Sequence, residues 1–111
     1  MTSRIRWIGL GVLALGAVAP AAAQDPALVE EGQKAFMFQG CYGCHTINRM
    51  GTEIGPDLSR VGARHPSEYL TRWLRDPMSQ KPTAHMPKLD LTPEEVKALA
   101  AFLSSHRGGV E

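Results

Sequence analysis

The run CYGCH at residues 41–45, in which a histidine directly follows a pair of cysteines, constrains this chain more than any other feature. Cys41 and Cys44 are the only cysteines of the sequence. At this spacing each thiol can form a thioether to one vinyl group on the same edge of a porphyrin, and the following His45 then lies beside the iron. The pattern predicts one covalently attached haem c, with Cys41 and Cys44 as anchors and His45 as an iron ligand.

Three other interpretations of the motif are weaker. A thioredoxin-like redox pair requires a βαβ context, and no alternating β pattern flanks this run. A structural zinc site usually has four ligands, and the further histidines, His65, His85 and His106, lack paired zinc spacing. A disulfide within so short a loop would leave the adjacent histidine as a coincidence. Haem attachment is therefore favoured.

The first 23 residues have the pattern of a secretory signal. Arg4 and Arg6 precede an apolar stretch at 7–19, and small residues end the segment at Ala21 and Ala23. We expect cleavage after Ala23 and a periplasmic location. The apolar stretch is shorter than the about 20 residues of a membrane span. The alternative is an uncleaved anchor that tethers the domain to the outer face of the membrane.

The predicted mature chain is small and nearly neutral. Removing 23 of 111 residues leaves 88, at positions 24–111, which is enough for one domain with a thin core. A bound haem would add a large apolar body to that core. Loss of Arg4 and Arg6 changes twelve basic against eleven acidic residues to ten against eleven, a net charge of −1. No nucleic-acid partner is expected from such a balance.

The mature chain predicts an all-α fold, because no segment alternates long enough to indicate a sheet. A first helix is expected after Asp25, with Pro26 at its first position. A last helix is expected after Thr92, where Glu95 completes a capping box. A further helix is predicted over residues 67–75, ended by Asp76-Pro77.

Residues 77–91 are expected to form an extended loop across one face of the haem, because Pro77, Pro82 and Pro87 exclude a regular helix. Met86 is predicted to be the second axial ligand of the iron, held in place by the proline that follows it. An open or water-bound position is an alternative. The most serious competitor for this position is His85. The other rival side chains are Met78, Met37 and Met50.

Trp73 allows two interpretations. It is either a core residue of the predicted third helix, or its indole N–H reaches a haem propionate while its ring covers the porphyrin. Tyr69, one helical turn earlier, presents the same choice with a weaker case for haem contact.

These features together resemble a small class I cytochrome c over essentially all of residues 26–107. The resemblance rests on the CYGCH motif, on GPDL at 55–58, on the Met86-Pro87 pair and on the two terminal helices. It implies a fold of about three to four helices wrapped around one covalently bound haem, with the terminal helices crossing. Gly32 and Phe36 match the residues that meet the last helix near Leu99.

The resemblance also assigns residues around the haem. Pro56 matches the proline whose carbonyl oxygen accepts a hydrogen bond from the proximal histidine, and so would orient His45. Arg64 matches an arginine that binds a propionate, with Arg60 as a substitute.

The function that follows is transfer of single electrons between redox partners by Fe(II)/Fe(III) cycling, without chemistry on a substrate. A dehydrogenase would be the donor, and an oxidase or reductase the acceptor. Residues 41–91 contain seven basic and five acidic side chains, a weak bias towards an acidic partner. One alternative is a haem c subunit docked on a periplasmic dehydrogenase or oxidase. The other is a haem enzyme or gas-binding protein with an open iron position.

Overall fold

A computed structural model describes Gly9, Gly11 and residues 24–108, so most of the predicted signal segment lies outside the described residues. None of the helices within that part of the chain is long and apolar enough to cross a membrane. In chain order the elements are helix α1 (Pro26–Phe38), a single 3-10 turn (Cys41–Gly43), strands β1 (Thr46–Ile47) and β2 (Met50–Gly51), and helices α2 (Val61–Arg64), α3 (Ser67–Arg75), α4 (Pro77–Gln80) and α5 (Pro93–Ser105).

The two terminal helices begin where their capping signals lie. The Asp25 carboxylate accepts a hydrogen bond from the backbone N–H of Ala27 at 3.0 Å, and α1 starts at the following proline. At α5 the Thr92 hydroxyl accepts from the Glu95 N–H, and the Glu95 carboxylate accepts from the Thr92 N–H, both at 3.1 Å. These bonds satisfy N–H groups that the first helical turn leaves without partners.

The terminal helices cross in direct backbone contact at Gly32. A Cβ at this position would overlap the carbonyl oxygen of Ala98 and lie 2.5 Å from Cβ of Phe102. Beside the crossing, Phe36 is 2% exposed, and its ring centroid lies 5.5 Å from that of Phe102. Only glycine permits so close an approach of two helix backbones. The predicted fold, with its crossing terminal helices, is confirmed.

The core lies between α5, α1 and α3. Residues of α5 contribute half of the buried apolar cluster, and α3 adds Leu70 and Leu74. The buried apolar cluster consists of Phe36, Ile47, Val61, Leu70, Leu74, Val96, Leu99, Ala100, Phe102 and Leu103.

A short hairpin departs from the purely helical expectation. Strands β1 and β2 pair antiparallel, with Thr46 opposite Gly51 and Ile47 opposite Met50. The connecting Asn48 and Arg49 have positive φ angles of 49° and 70°, as in the turns that match strand twist. Two-residue strands are too short to show an alternating pattern, so they leave no signal in the sequence.

The prediction that all of residues 77–91 are extended is wrong at the start of the segment. Pro77 is the first residue of α4, a single helical turn, and its carbonyl accepts from the Lys81 N–H at 3.0 Å. Proline is tolerated there because the first helical N–H has no intrahelical partner. A turn follows, closed by a 2.9 Å bond from the Ala84 N–H to the Lys81 carbonyl, with Pro82 at its second position.

Candidate functional site

A cavity of about 560 Å³ opens among α3, α5, the CYGCH segment and the loop after α4. Its volume is in the range of ligand and cofactor pockets. All of the site residues predicted from the sequence line it, namely Cys41, Cys44, His45, Pro56, Arg64, Trp73 and Met86.

His45 is fixed by the backbone that follows the hairpin. Its Nδ1 lies 2.8 Å from the carbonyl oxygen of Pro56, which can only accept, so Nδ1 carries the proton and Nε2 keeps a free lone pair. A Cβ at Gly55 would lie 2.7 Å from Cε1 and 2.9 Å from Nδ1 of His45. The imidazole therefore packs directly against the backbone of residues 55 and 56. Nε2 is the nitrogen that remains available to a metal.

A polar network that the sequence did not reveal holds the Pro56 segment. Thr46 and Ser59 each donate a hydroxyl hydrogen bond to Oδ1 of Asp57, at 2.8 Å and 2.9 Å. The Ser59 hydroxyl in turn accepts from the backbone N–H of Asn48 at 2.8 Å. The bonds from Thr46 and Ser59 hold the pKa of Asp57 below its usual range. The hairpin and the Pro56 loop are thereby joined on the side of His45.

The two cysteines form no disulfide with each other. Both line the cavity, Cys41 half-buried and Cys44 exposed. Burial, and to a smaller extent the neighbouring Cys44, raise the pKa of the Cys41 thiol. The N–H groups of Cys44 and His45 both donate to the Cys41 carbonyl, at 3.2 Å and 3.0 Å. This tight turn brings the three side chains of the motif to one wall.

Met86 is half-buried in the cavity wall, and its sulfur has a partner that the sequence did not predict. Nε1 of Trp73 donates a hydrogen bond to Sδ of Met86 at 3.2 Å. A haem propionate is the partner that the sequence suggested for this N–H. The indole also continues a stack along α3, with ring centroids 6.2 Å from Trp73 to Tyr69 and 4.4 Å from Tyr69 to His65.

The rival sulfur ligands lie elsewhere. Met37, Met50 and Met78 are 63%, 63% and 58% exposed, and none of them is among the described residues that line the cavity. His85 does line it and stays an alternative to its neighbour Met86.

Of the two candidate arginines, Arg64 lines the cavity, and Arg60 is not among the described residues that do. Arg64 is exposed and lines the cavity, together with Asp57 and Lys81. The Arg60 side chain packs on Gly108, where an added Cβ would lie 2.6 Å from Arg60 Cγ.

The donor set fits a haem c. The walls are mostly apolar and include Leu70, Leu74 and Leu99. They combine two thiols for covalent attachment with an imidazole and a thioether, the axial ligands of cytochromes c. Arg64 adds a cation that suits a propionate.

Comparison with known proteins agrees with this site. The sequence profile of the cytochrome c family matches residues 29–107. The chain is 34% identical to cytochrome c oxidase subunit 2 of Alkalihalophilus pseudofirmus over 87 residues, which are 70% of this chain and 25% of that protein. It is 32% identical to a subunit of nitric oxide reductase from Paracoccus denitrificans over 84 residues, which are 68% of this chain and 56% of that protein.

The chain thus spans about a quarter of the oxidase subunit and just over half of the reductase subunit. The profile match, in contrast, runs from within α1 to beyond the end of α5 and includes all of the residues that line the cavity. The chain therefore belongs to the cytochrome c family and carries covalently bound haem c.

Proposed function

We propose that this protein carries single electrons between redox proteins in the periplasm, with His45 and Met86 as the two axial ligands of one haem c. When bound, the haem supplies a one-electron Fe(III)/Fe(II) couple. Cys41 and Cys44 anchor it through thioethers. No acid, base or nucleophile of the chain is needed for this function.

The observation that carries the proposal is that His45 and Met86 line one cavity and that each has a lone pair available to a metal. The Pro56 carbonyl accepts a hydrogen bond from Nδ1–H of His45, so the lone pair of the neutral imidazole lies on Nε2. The Met86 thioether keeps a lone pair beyond the one that accepts from Trp73. A carrier needs both axial positions filled by the protein, because oxygen or peroxide then finds no open site.

The cavity walls supply the environment of the couple. Phe36, Leu70 and Leu99 are buried and line the cavity, so they exclude water from the inner part of the site. A low-dielectric environment disfavours the ferric form, because ferric iron carries one more positive charge than ferrous iron. The reduction potential is therefore raised. Ile54 is 75% exposed and also lines the cavity, which marks an open edge where a partner can approach.

The charge of the segment that carries most of the site favours an acidic partner. Residues 41–91 contain seven basic and five acidic side chains. We expect the association rate with such a partner to fall as the ionic strength rises, since screening weakens steering between exposed charges.

A docked haem subunit is the second candidate, and the similarity to subunits of oxidoreductases favours it. Size-exclusion chromatography of material purified from the native host separates the two states. A free carrier elutes as the isolated chain, whereas a docked subunit elutes with an oxidoreductase complex at physiological salt.

The periplasmic location depends on the signal pattern of residues 1–23. The intact mass of the purified protein tests it, because the mature chain should begin at Gln24 and carry one haem. A mass that retains the first 23 residues would indicate an uncleaved anchor instead.

The absorption spectrum of the holoprotein tests axial ligation. We expect a c-type spectrum, the weak far-red band of methionine-bound ferric iron, and no change of the reduced spectrum under carbon monoxide. Met86→Leu should lose the far-red band and bind carbon monoxide. Met78→Leu is the matched control, because Met78 is exposed and outside the cavity wall.

An open-iron protein would give the opposite result in the wild type. If the far-red band is missing and carbon monoxide shifts the Soret peak, Met86 is not the resting ligand. If His85 is the ligand, the far-red band is missing, carbon monoxide has little effect, and His85→Ala rather than Met86→Leu opens the iron.

A further inference from the structure

We propose that Asp57 is a positioning residue for His45, because its carboxylate, bound to Thr46, directs the Pro56 carbonyl at the imidazole and thereby lowers the reduction potential of the iron. The observation is the 2.8 Å bond from the Thr46 hydroxyl to Oδ1 of Asp57, which ties the residue after His45 to the residue after Pro56. This role rests on the proposed function in one respect, the ligation of iron by His45, and it does not depend on Met86.

The Pro56 carbonyl is not directed by its own residue. Proline has no N–H, so the backbone of Pro56 bonds only through its oxygen, which accepts from Nδ1 of His45 at 2.8 Å. That oxygen lies in the same planar peptide unit as the N–H of Asp57. The Asp57 N–H donates to no backbone acceptor among the described residues. Rotation of this peptide unit is therefore limited by bonds that the neighbouring residues form.

Backbone bonds on both sides attach this unit to the segment of His45. Before it, the Gly55 N–H donates to the Cys44 carbonyl. After it, the Leu58 N–H donates to the Thr46 carbonyl at 2.8 Å. Cys44 and Thr46 are the immediate neighbours of His45 in the chain. The imidazole and the carbonyl to which it donates therefore belong to two short segments that are bonded to each other.

The Asp57 side chain acts on the peptide unit most directly, because its own backbone nitrogen is part of that unit. Its Oδ1 accepts from the hydroxyls of Thr46 and Ser59, at 2.8 Å and 2.9 Å. Thr46 is only 8% exposed, so water competes little for its hydroxyl. These bonds lower the pKa of Asp57, so the acceptor is ionised at neutral pH, and hydrogen bonds to a charged acceptor are the stronger ones.

The direction of the Pro56 carbonyl affects the iron through the imidazole. A well-aligned carbonyl strengthens the hydrogen bond from Nδ1–H of His45 and makes Nε2 more basic. A more basic imidazole stabilises ferric iron more than ferrous iron, because ferric iron carries one more positive charge. The bonds of Asp57 should therefore lower the reduction potential, and their loss should raise it.

Thr46→Val in the holoprotein tests this role, because valine is similar in size to threonine but has no hydroxyl. Solvent exchange of the His45 Nδ1 proton, followed by NMR of the reduced, diamagnetic protein, measures the bond to Pro56. We expect faster exchange than in wild type. We also expect a roughly twofold to fivefold shift of the redox equilibrium towards ferrous iron, part of the effect of a lost hydrogen bond. At 59 mV per tenfold for one electron, the potential rises by about 20 to 40 mV.

Two comparisons separate the hydrogen bond from other effects of substitution. Thr52→Val is the matched control, because Thr52 is exposed near the same hairpin and takes no part in the bonds to Asp57. It should keep the wild-type exchange rate and potential. Asp57→Asn keeps an oxygen acceptor for Thr46, whereas Asp57→Ala does not. The Nδ1 proton should therefore exchange more slowly in the asparagine variant than in the alanine variant.

A general loss of stability would give a different result. The backbone amide of Leu99, in the buried part of α5, reports opening of the whole fold in the same samples. If Thr46→Val accelerates exchange of this amide as much as that of the His45 Nδ1 proton, the network only stabilises the fold, and the role in positioning is refuted. It is also refuted if the exchange of the Nδ1 proton and the potential both keep their wild-type values.

Failure of this role and failure of the proposed function give different results. In both of the refuting cases the far-red band of methionine-bound iron remains, and the carrier function stands. If wild-type protein lacks that band and binds carbon monoxide, the carrier function fails. Exchange is then measured in the diamagnetic carbon monoxide complex, where faster exchange in Thr46→Val would still support the role of Asp57.

Discussion

Replacement of Gly32 by alanine should weaken the crossing of α1 and α5. Alanine improves intrinsic helix propensity by about 1 kcal/mol. Its Cβ, however, would overlap the backbone carbonyl oxygen of Ala98, which cannot rotate away as a side chain could. Overpacking typically costs about 1 to 3 kcal/mol, and a rigid obstacle favours the upper end. The expected net loss in the free energy of unfolding is about 2 kcal/mol.

Guanidinium unfolding of the holoprotein, followed by far-UV circular dichroism, measures this loss. Gly43→Ala is the matched control, because a Cβ at Gly43 would have nothing within 4 Å. We expect the control to stay within about 0.5 kcal/mol of wild type. If Gly32→Ala is as stable as wild type or more stable, helix propensity alone acts at this position, and the close backbone contact does not exist in solution.

Two further predictions concern polar contacts. Thr92→Ala removes the cap of α5 and should lower the free energy of unfolding by about 1 kcal/mol, with Lys97→Ala on the exposed side of the helix as a near-neutral control. Asp57 has a lowered pKa in the folded state, so its ionised form stabilises the fold above about pH 4, and this is lost as the pH falls through the lowered pKa. The difference in unfolding midpoint between wild type and Asp57→Asn should therefore shrink on acidification, whereas a constant difference would contradict a role of the charge.

Local signals made the helices predictable. The starts of α1 and α5 depend on contacts within three residues of Asp25 and Thr92, so the sequence contains all the information needed. Proline and aspartate likewise mark the end of α3 at Arg75. The CYGCH motif is equally local, because the chemistry of haem attachment requires its spacing.

Long-range contacts were less predictable. The indole of Trp73 and the sulfur of Met86 are separated by 13 residues, and several polar groups would satisfy an indole N–H. A propionate was as reasonable a partner on sequence grounds. The network around Asp57 joins two loops 11 residues apart, and no periodic pattern marks such contacts. Only the folded geometry selects among the chemically possible partners.

The crossing of α1 and α5 has a consequence for the order of folding. Gly32 lies against Ala98 and Phe102, so the core closes only when nearly the whole described chain is available. Gln39 at the end of α1 is also bound to Glu95 at the start of α5, 56 residues later. Until α5 emerges, the early part of the chain cannot complete its core. Cys41 and Cys44 therefore remain accessible until α5 packs against α1, which leaves an interval for haem attachment before the fold closes around them.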